Sequence, residues 1–183
     1  MSVAVGIPHG DPGRSSCDLA AVPSAPVKVP LDDPLRVLPL DGVCVVMPSE
    51  TPRVEGIRRL RRALLRHYGD GPLSLLFVVP SKVGIPSDET RGEVRALLSE
   101  LGPRLTAVAA VIEGTGFGAS AKRSVMTFVT SVLARGTTSV RVFATVDPAA
   151  EWIAESAASD AWSPDLEVLH AEIARARIQA TGE

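Results

Sequence analysis

From Leu35 onward the chain alternates between short, nearly continuous apolar blocks and longer stretches with apolar residues every third or fourth position. Such a change of period from about 2 to about 3.6 residues marks alternating strands and helices. LRVLPLDGVCVVMP holds two apolar blocks around Asp41-Gly42, a dipeptide that accepts the positive backbone angles of a tight turn, so a β-hairpin is expected here. TPRVEGIRRLRRALLRHYGDG follows, with Thr51 as an expected cap, Pro52 at the first helical position, and Ile57, Leu60, Leu64 and Tyr68 along one face. PLSLLFVVP is the kind of block that is buried on both faces of a sheet. SDETRGEVRALLSELGP reads as a helix begun by Ser87, with Val94, Leu97, Leu98 and Leu101 inward and a Gly-Pro stop.

The alternation continues to the C-terminus. TAVAAVIE is a strand, ASAKRSVMTFVTSVLARG a helix with Ala121, Val125, Phe128, Val129 and Val132 on one side, VRVFATV a strand, and DPAAEWIAESA a helix with Asp147 as its expected cap. SPDLEVLHAEIARARIQ has a Ser-Pro start and apolar Leu166, Leu169 and Ile173, and is expected as an appended helix. The order β-β-α-β-α-β-α-β-α predicts an α/β fold: a mixed, mostly parallel sheet of about five strands over residues 36 to 146, linked by right-handed helical crossovers. Residues 1–34 carry six prolines among scattered Gly, Ser and Asp and hold no period, so a disordered leader is expected there. The organisation is therefore leader 1–34, α/β domain 35–158 and helical extension 159–183.

A hairpin, then helix-strand alternation, ending in VRVFATVDPAAEWIAE, resembles the STAS and SpoIIAA-like family of small bacterial domains over roughly residues 35–158. The likeness lies in element order, in Phe143 of the last strand, and in Ala150 and Trp152 of the helix after it. It implies a STAS-like fold and a regulatory module that works by protein contact. Regulatory STAS proteins carry an Asp-Ser-Ser-Gly-like stretch, phosphorylated by a partner kinase, between the third strand and the second helix. This chain has VVPSKVGIPSDET there, so neither Ser81 nor Ser87 inherits that role.

Composition removes several classes. The formal charge is -2 with a pI near 5.9, which gives no global attraction to nucleic acid or an anionic membrane. Sixteen arginines against three lysines, with abundant Ala, Gly and Pro, point to a GC-rich, bacterial coding bias. MSVAVGIPHGDPG lacks the basic-then-apolar pattern of a signal peptide, and no window approaches eighteen uninterrupted apolar residues, so a cytoplasmic protein without a membrane span is expected. Cys17 and Cys44 show neither metal nor disulfide spacing, and Cys44, inside an apolar run, reads as a small buried hydrophobe. His9, His67 and His170 are far apart, so neither a metal site nor any other cofactor is expected. There is no G-x-S-x-G, no histidine near an activated serine and no defensible carboxylate pair.

Two candidate surfaces remain. In VIEGTGFGAS, the glycines Gly114, Gly116 and Gly118 precede Ser120, Lys122 and Arg123. The first reading is a tight strand-to-helix corner; the second is a small-anion (nucleotide or phosphate) site of a binding protein or enzyme, kept open because cations in a first helical turn oppose the helix dipole unless something negative compensates them. The corner is preferred. A dinucleotide fold would place such a turn after its first strand, and Asp147, 31 residues beyond Gly116, is too distant for the ribose acid. Glu113 beside the turn is more readily a turn-stabilising residue than a general base. The other surface is the arginine helix. Arg58, Arg59, Arg62 and Arg66 lie opposite the apolar stripe, with Arg61 among them and Arg53 just before. No aromatic residues are interleaved for base stacking, so a surface facing another protein, or another copy of this chain, is favoured over nucleic acid. A non-enzymatic interaction or regulatory module is the preferred function.

Overall fold

The computed structural model describes residues 34–116, 120, 138–157 and 165–181. Five strands, β1 (Leu35–Pro39), β2 (Val43–Pro48), β3 (Leu73–Val79), β4 (Leu105–Ile112) and β5 (Ser139–Phe143), form one sheet in sequence order. β1 is antiparallel to β2, and β2 through β5 are parallel, which is the expected α/β architecture. The helices among the described residues are α1 (Val54–Tyr68), α2 (Asp88–Leu101), α3 (Val146–Ala157) and α4 (Leu166–Thr181). None of them is long and apolar enough to cross a membrane. The expected leader, and the helix expected over Ala121 to Val132, lie outside the described residues.

The hairpin forms where Asp41-Gly42 predicts it. Gly42 has φ 59°, and the Leu40 N–H donates to the Val43 carbonyl at 2.8 Å. The hydroxyl of Tyr68, from the end of α1, donates between the Leu40 and Val43 carbonyls at 3.0 and 2.8 Å, tying the first helix to the turn.

Uniform handedness of consecutive crossovers sends their helices to one side of a sequentially ordered parallel sheet. Accordingly, α1 and α2 share a core with Leu35, Val37, Cys44, Val46, Leu73 and Leu75, into which Ile57, Leu60, Leu64, Leu97 and Leu101 are packed. The opposite face buries Val43, Val45, Leu76, Val78, Ala107 and Ala109 under α3 and α4. Because β2, β3 and β4 are covered on both sides, they read as continuous apolar runs rather than alternating ones. Cys44 is fully buried within the α1/α2 core, as its setting in the sequence predicts.

One irregularity redirects the sheet. Leu73 pairs with Leu105 but Ser74 pairs with Ala107, leaving Thr106 as the extra residue of a bulge. The bulge puts Leu105 on the α1/α2 side and Ala107 on the α3/α4 side. The Thr106 hydroxyl also lies 2.6 Å from that of fully buried Ser74, so neither side chain is left unsatisfied.

Three helix starts differ from the sequence reading. Thr51 does not cap α1: Arg53 holds the cap position without a side-chain bond, and the Thr51 hydroxyl accepts from the Gly84 N–H at 2.9 Å. A tertiary loop contact outcompetes the local cap. Asp147 lies inside the first turn of α3 rather than before it, where its carboxylate still favours the positive end of the helix. Asp165, not the Ser-Pro pair, starts α4, accepting from the Glu167 and Val168 N–H groups at 2.9 and 3.2 Å. Ser87 does cap α2, through a 3.2 Å bond from the Thr90 N–H.

The C-terminal stretch, expected as an appended helix, closes the second face. Leu169 and Ile173 of α4 are each 1% exposed and belong to the α3 core.

Candidate functional site

The arginine helix is divided by its neighbour. Arg58 donates from Nε and Nη2 to Glu93 Oε1 of α2 at 3.1 and 2.8 Å, and from Nη1 to Glu55 at 3.2 Å. Its guanidinium is held above its ordinary pKa, first by the hydrogen bonds to Glu93 and then by that residue's charge. Arg61 Nε pairs with Glu100 at 2.5 Å. These two ion pairs clasp α1 to α2, so Arg58, although on the outward-facing half of the helix, is engaged within the fold. Glu93 and Glu100 are the residues the sequence reading missed. Helical spacing within α2 offers no sign that they meet arginines 35 and 39 positions away, because only the packing of α1 on α2 brings them together.

Arg59, Arg62 and Arg66 lie along the exposed side of α1. Their spacing of three and four residues places them one above another on a single stripe. Arg59 also borders an open groove of about 1160 Å³ at the carboxyl end of β2, between the first turns of α1 and α2. Arg53, Arg59 and Lys82 in that groove are matched by Glu50, Glu55 and Glu89. Equal numbers of opposite charges give it no electrostatic preference for an anion. The loop from β3 to α2 reaches its rim through the Thr51–Gly84 bond; a Cβ on Gly84 would stand 2.6 Å from the Thr51 hydroxyl oxygen, so a larger residue would have to displace the Thr51 side chain.

The glycine turn has the positive backbone angles expected of a tight corner. Gly114 and Gly116 have φ of 113° and 84°, values that side chains rarely adopt. Exchange of either for alanine is expected to lower stability by about 1 kcal/mol or more, measurable by urea unfolding; an unchanged midpoint would contradict the strain argument. Glu113 points to structural duty as well. Its carboxylate pairs with Arg177 of α4 and its N–H donates to the Val79 carbonyl at 2.9 Å, so the turn is fastened to β3 and to the C-terminal helix. Ser120 is helical and exposed, whereas Gly118, Lys122 and Arg123 lie outside the described residues. Topology adds a further consideration. Open α/β sheets bind ligands where the strand order reverses, and β2 through β5 run in unbroken order past this turn.

Other described side chains of the sequence reading make contacts within the fold. His67 stacks edge-on to Tyr68 with ring centroids 4.7 Å apart, and His170 Nε2 lies 3.7 Å from Asp147. Phe143 packs against Trp152 at 5.7 Å, with the Arg141 guanidinium 5.3 Å from the Trp152 ring centre. No group of three or more His, Cys, Asp or Glu that would hold a metal occurs among the described residues. His9 and Cys17 lie outside them. Comparison with known proteins yields no matching family model, curated relative or solved structure.

Proposed function

We propose that this chain is a non-enzymatic interaction module that docks an acidic protein surface through the outer stripe of α1. One observation carries the reading. Arg62 and Arg66 are exposed and have no ion-pair partner among the described residues, while two acids of the adjoining helix, Glu93 and Glu100, are spent on Arg58 and Arg61. Two uncompensated cations on a rigid helix favour an acidic partner and speed its encounter. The resemblance of the closing strand and helix to STAS and SpoIIAA-like domains supports the same reading and adds a bacterial, cytoplasmic regulatory setting. Without the phosphorylated stretch of that family, the contact is constitutive rather than switched by a kinase.

The test compares three immobilised chains in protein capture from the native host at low and high salt: wild type, Arg62→Glu/Arg66→Glu, and Arg95→Glu on the exposed side of α2. Arg58 is left intact, because glutamate there would face Glu93 and Glu55 and disturb the fold itself. The expected result is a partner that wild type and Arg95→Glu retain, that the double reversal loses, and that high salt releases. Equal retention by all three chains, or turnover of any small substrate by purified protein, would overturn the proposal.

A further inference from the structure

Among the described residues, α1 and α3 each carry a pair of exposed charges without an ion-pair partner, and the two pairs are opposite in sign. On α1, Arg62 and Arg66 stand exposed with a spacing of i, i+4. On α3, Glu151 and Glu155 stand exposed with the same spacing, and that helix contains no Lys or Arg. The helix beside α3 offers them nothing: Arg175 of α4 pairs with Glu172, and Arg177 with Glu113. Among the described residues, Glu151 and Glu155 make no ion pair. The two faces of the sheet thus each present a helix with a pair of like charges one turn apart, basic on α1 and acidic on α3.

Within one chain the two pairs cannot meet. α1 packs on the face of the sheet that buries Leu73 and Leu75, and α3 on the face that buries Leu76 and Val78, so the sheet stands between them. Between two chains they match. Four residues of α-helix advance about 6 Å, so an α1 laid along a neighbour's α3 brings Arg62 and Arg66 opposite Glu151 and Glu155 at the same time. Two charge pairs formed in one register discriminate against shifted alignments, which is how charge patterns select helix partners.

We propose that the acidic partner of α1 is α3 of a second copy of this chain, giving head-to-tail self-association. This rests on the contact function proposed above and specifies its partner. The contact joins different surfaces of the two copies, so each associated pair still exposes one free α1 and one free α3. Further copies therefore add to form a ring if the rotation closes and an open chain if it does not.

Sedimentation velocity over a concentration series tests this, at about 0.01 M and about 1 M salt. Wild type is expected to self-associate at low salt and to dissociate at high salt. Arg62→Glu/Arg66→Glu has two acidic helices and Glu151→Lys/Glu155→Lys has two basic ones, so each alone is expected to associate at least about tenfold more weakly. An equimolar mixture of the two variants restores complementarity at both contacts and is expected to regain the wild-type behaviour. All four charges are exposed, so both variants should keep the wild-type far-ultraviolet circular dichroism. A wild-type chain that remains monomeric at low salt, a variant that associates as tightly as wild type, or a mixture that fails to recover overturns the self-association. If the double arginine reversal nevertheless loses a foreign partner in the capture experiment, only the identity of the partner has failed.

Discussion

Ile173→Ala is expected to destabilise the protein by about 2–5 kcal/mol. The side chain is 1% exposed and sits with Val43, Val45, Leu76, Ala149 and Ile153 on the α3 face of the sheet. Removing its outer carbons leaves a cavity between a helix and a sheet that are both fixed by other contacts, so the space cannot readily collapse. Ile178 on the same helix supplies the contrast. It is 59% exposed, and its exchange for alanine is expected to change stability by less than about 0.5 kcal/mol. Urea unfolding monitored by circular dichroism distinguishes the two. Near-equal, small effects would mean that α4 is a dispensable appendage; the large difference is expected because α4 closes the core.

Stability is also expected to fall steeply in alkali. Burial is the main force raising the Cys44 thiol from about 9 to about 12, and a hydrogen bond with Tyr68 opposes it only in part. The Tyr68 phenol is likewise pushed above its ordinary value, first by burial and then by the neighbouring Cys44 charge. In both cases the folded chain holds its proton at pH values where the unfolded chain has released it. The unfolded state then binds fewer protons, so unfolding becomes easier as pH rises. The contribution is fully present below about pH 9, declines as pH rises through the interval to about 12, and for Cys44 alone amounts to about 4 kcal/mol. Tyr68 adds its own loss from about pH 10 upward.

Tyr68 is the one tyrosine in the chain, so tyrosinate absorbance reports on it directly. That absorbance is expected to appear together with the loss of helical circular dichroism, not before it. Cys44→Ala is expected to flatten the decline between about pH 9 and about pH 10, before tyrosine titrates. Tyrosinate appearing while the fold is intact, or an unchanged slope in the alanine variant, would contradict the assignment.

The alternation of period was sufficient for the architecture, because blocks buried on both faces and helices with a single apolar stripe leave few ways to hide their apolar surface other than a covered, mostly parallel sheet. Asp41-Gly42, Ser87 and the Gly114/Gly116 pair were also legible, since a turn or cap depends on backbone angles that only a few residue types favour. The outer stripe of α1 could be drawn from a helical projection alone.

What the sequence could not determine is which of those arginines are occupied. Arg58 and Arg61 meet acids on a different helix, and no local pattern records the packing of α1 on α2 that joins them. For the same reason Thr51 looked like a cap but bonds Gly84, Glu113 read as a turn-stabilising acid with no sign that its partner is Arg177, and the C-terminal helix looked appended but fills the second face. Periodicity reports the environment of a residue on its own element. The partner of a charge or a hydroxyl lies at long sequence separation, so tertiary packing alone decides which charges remain for contact.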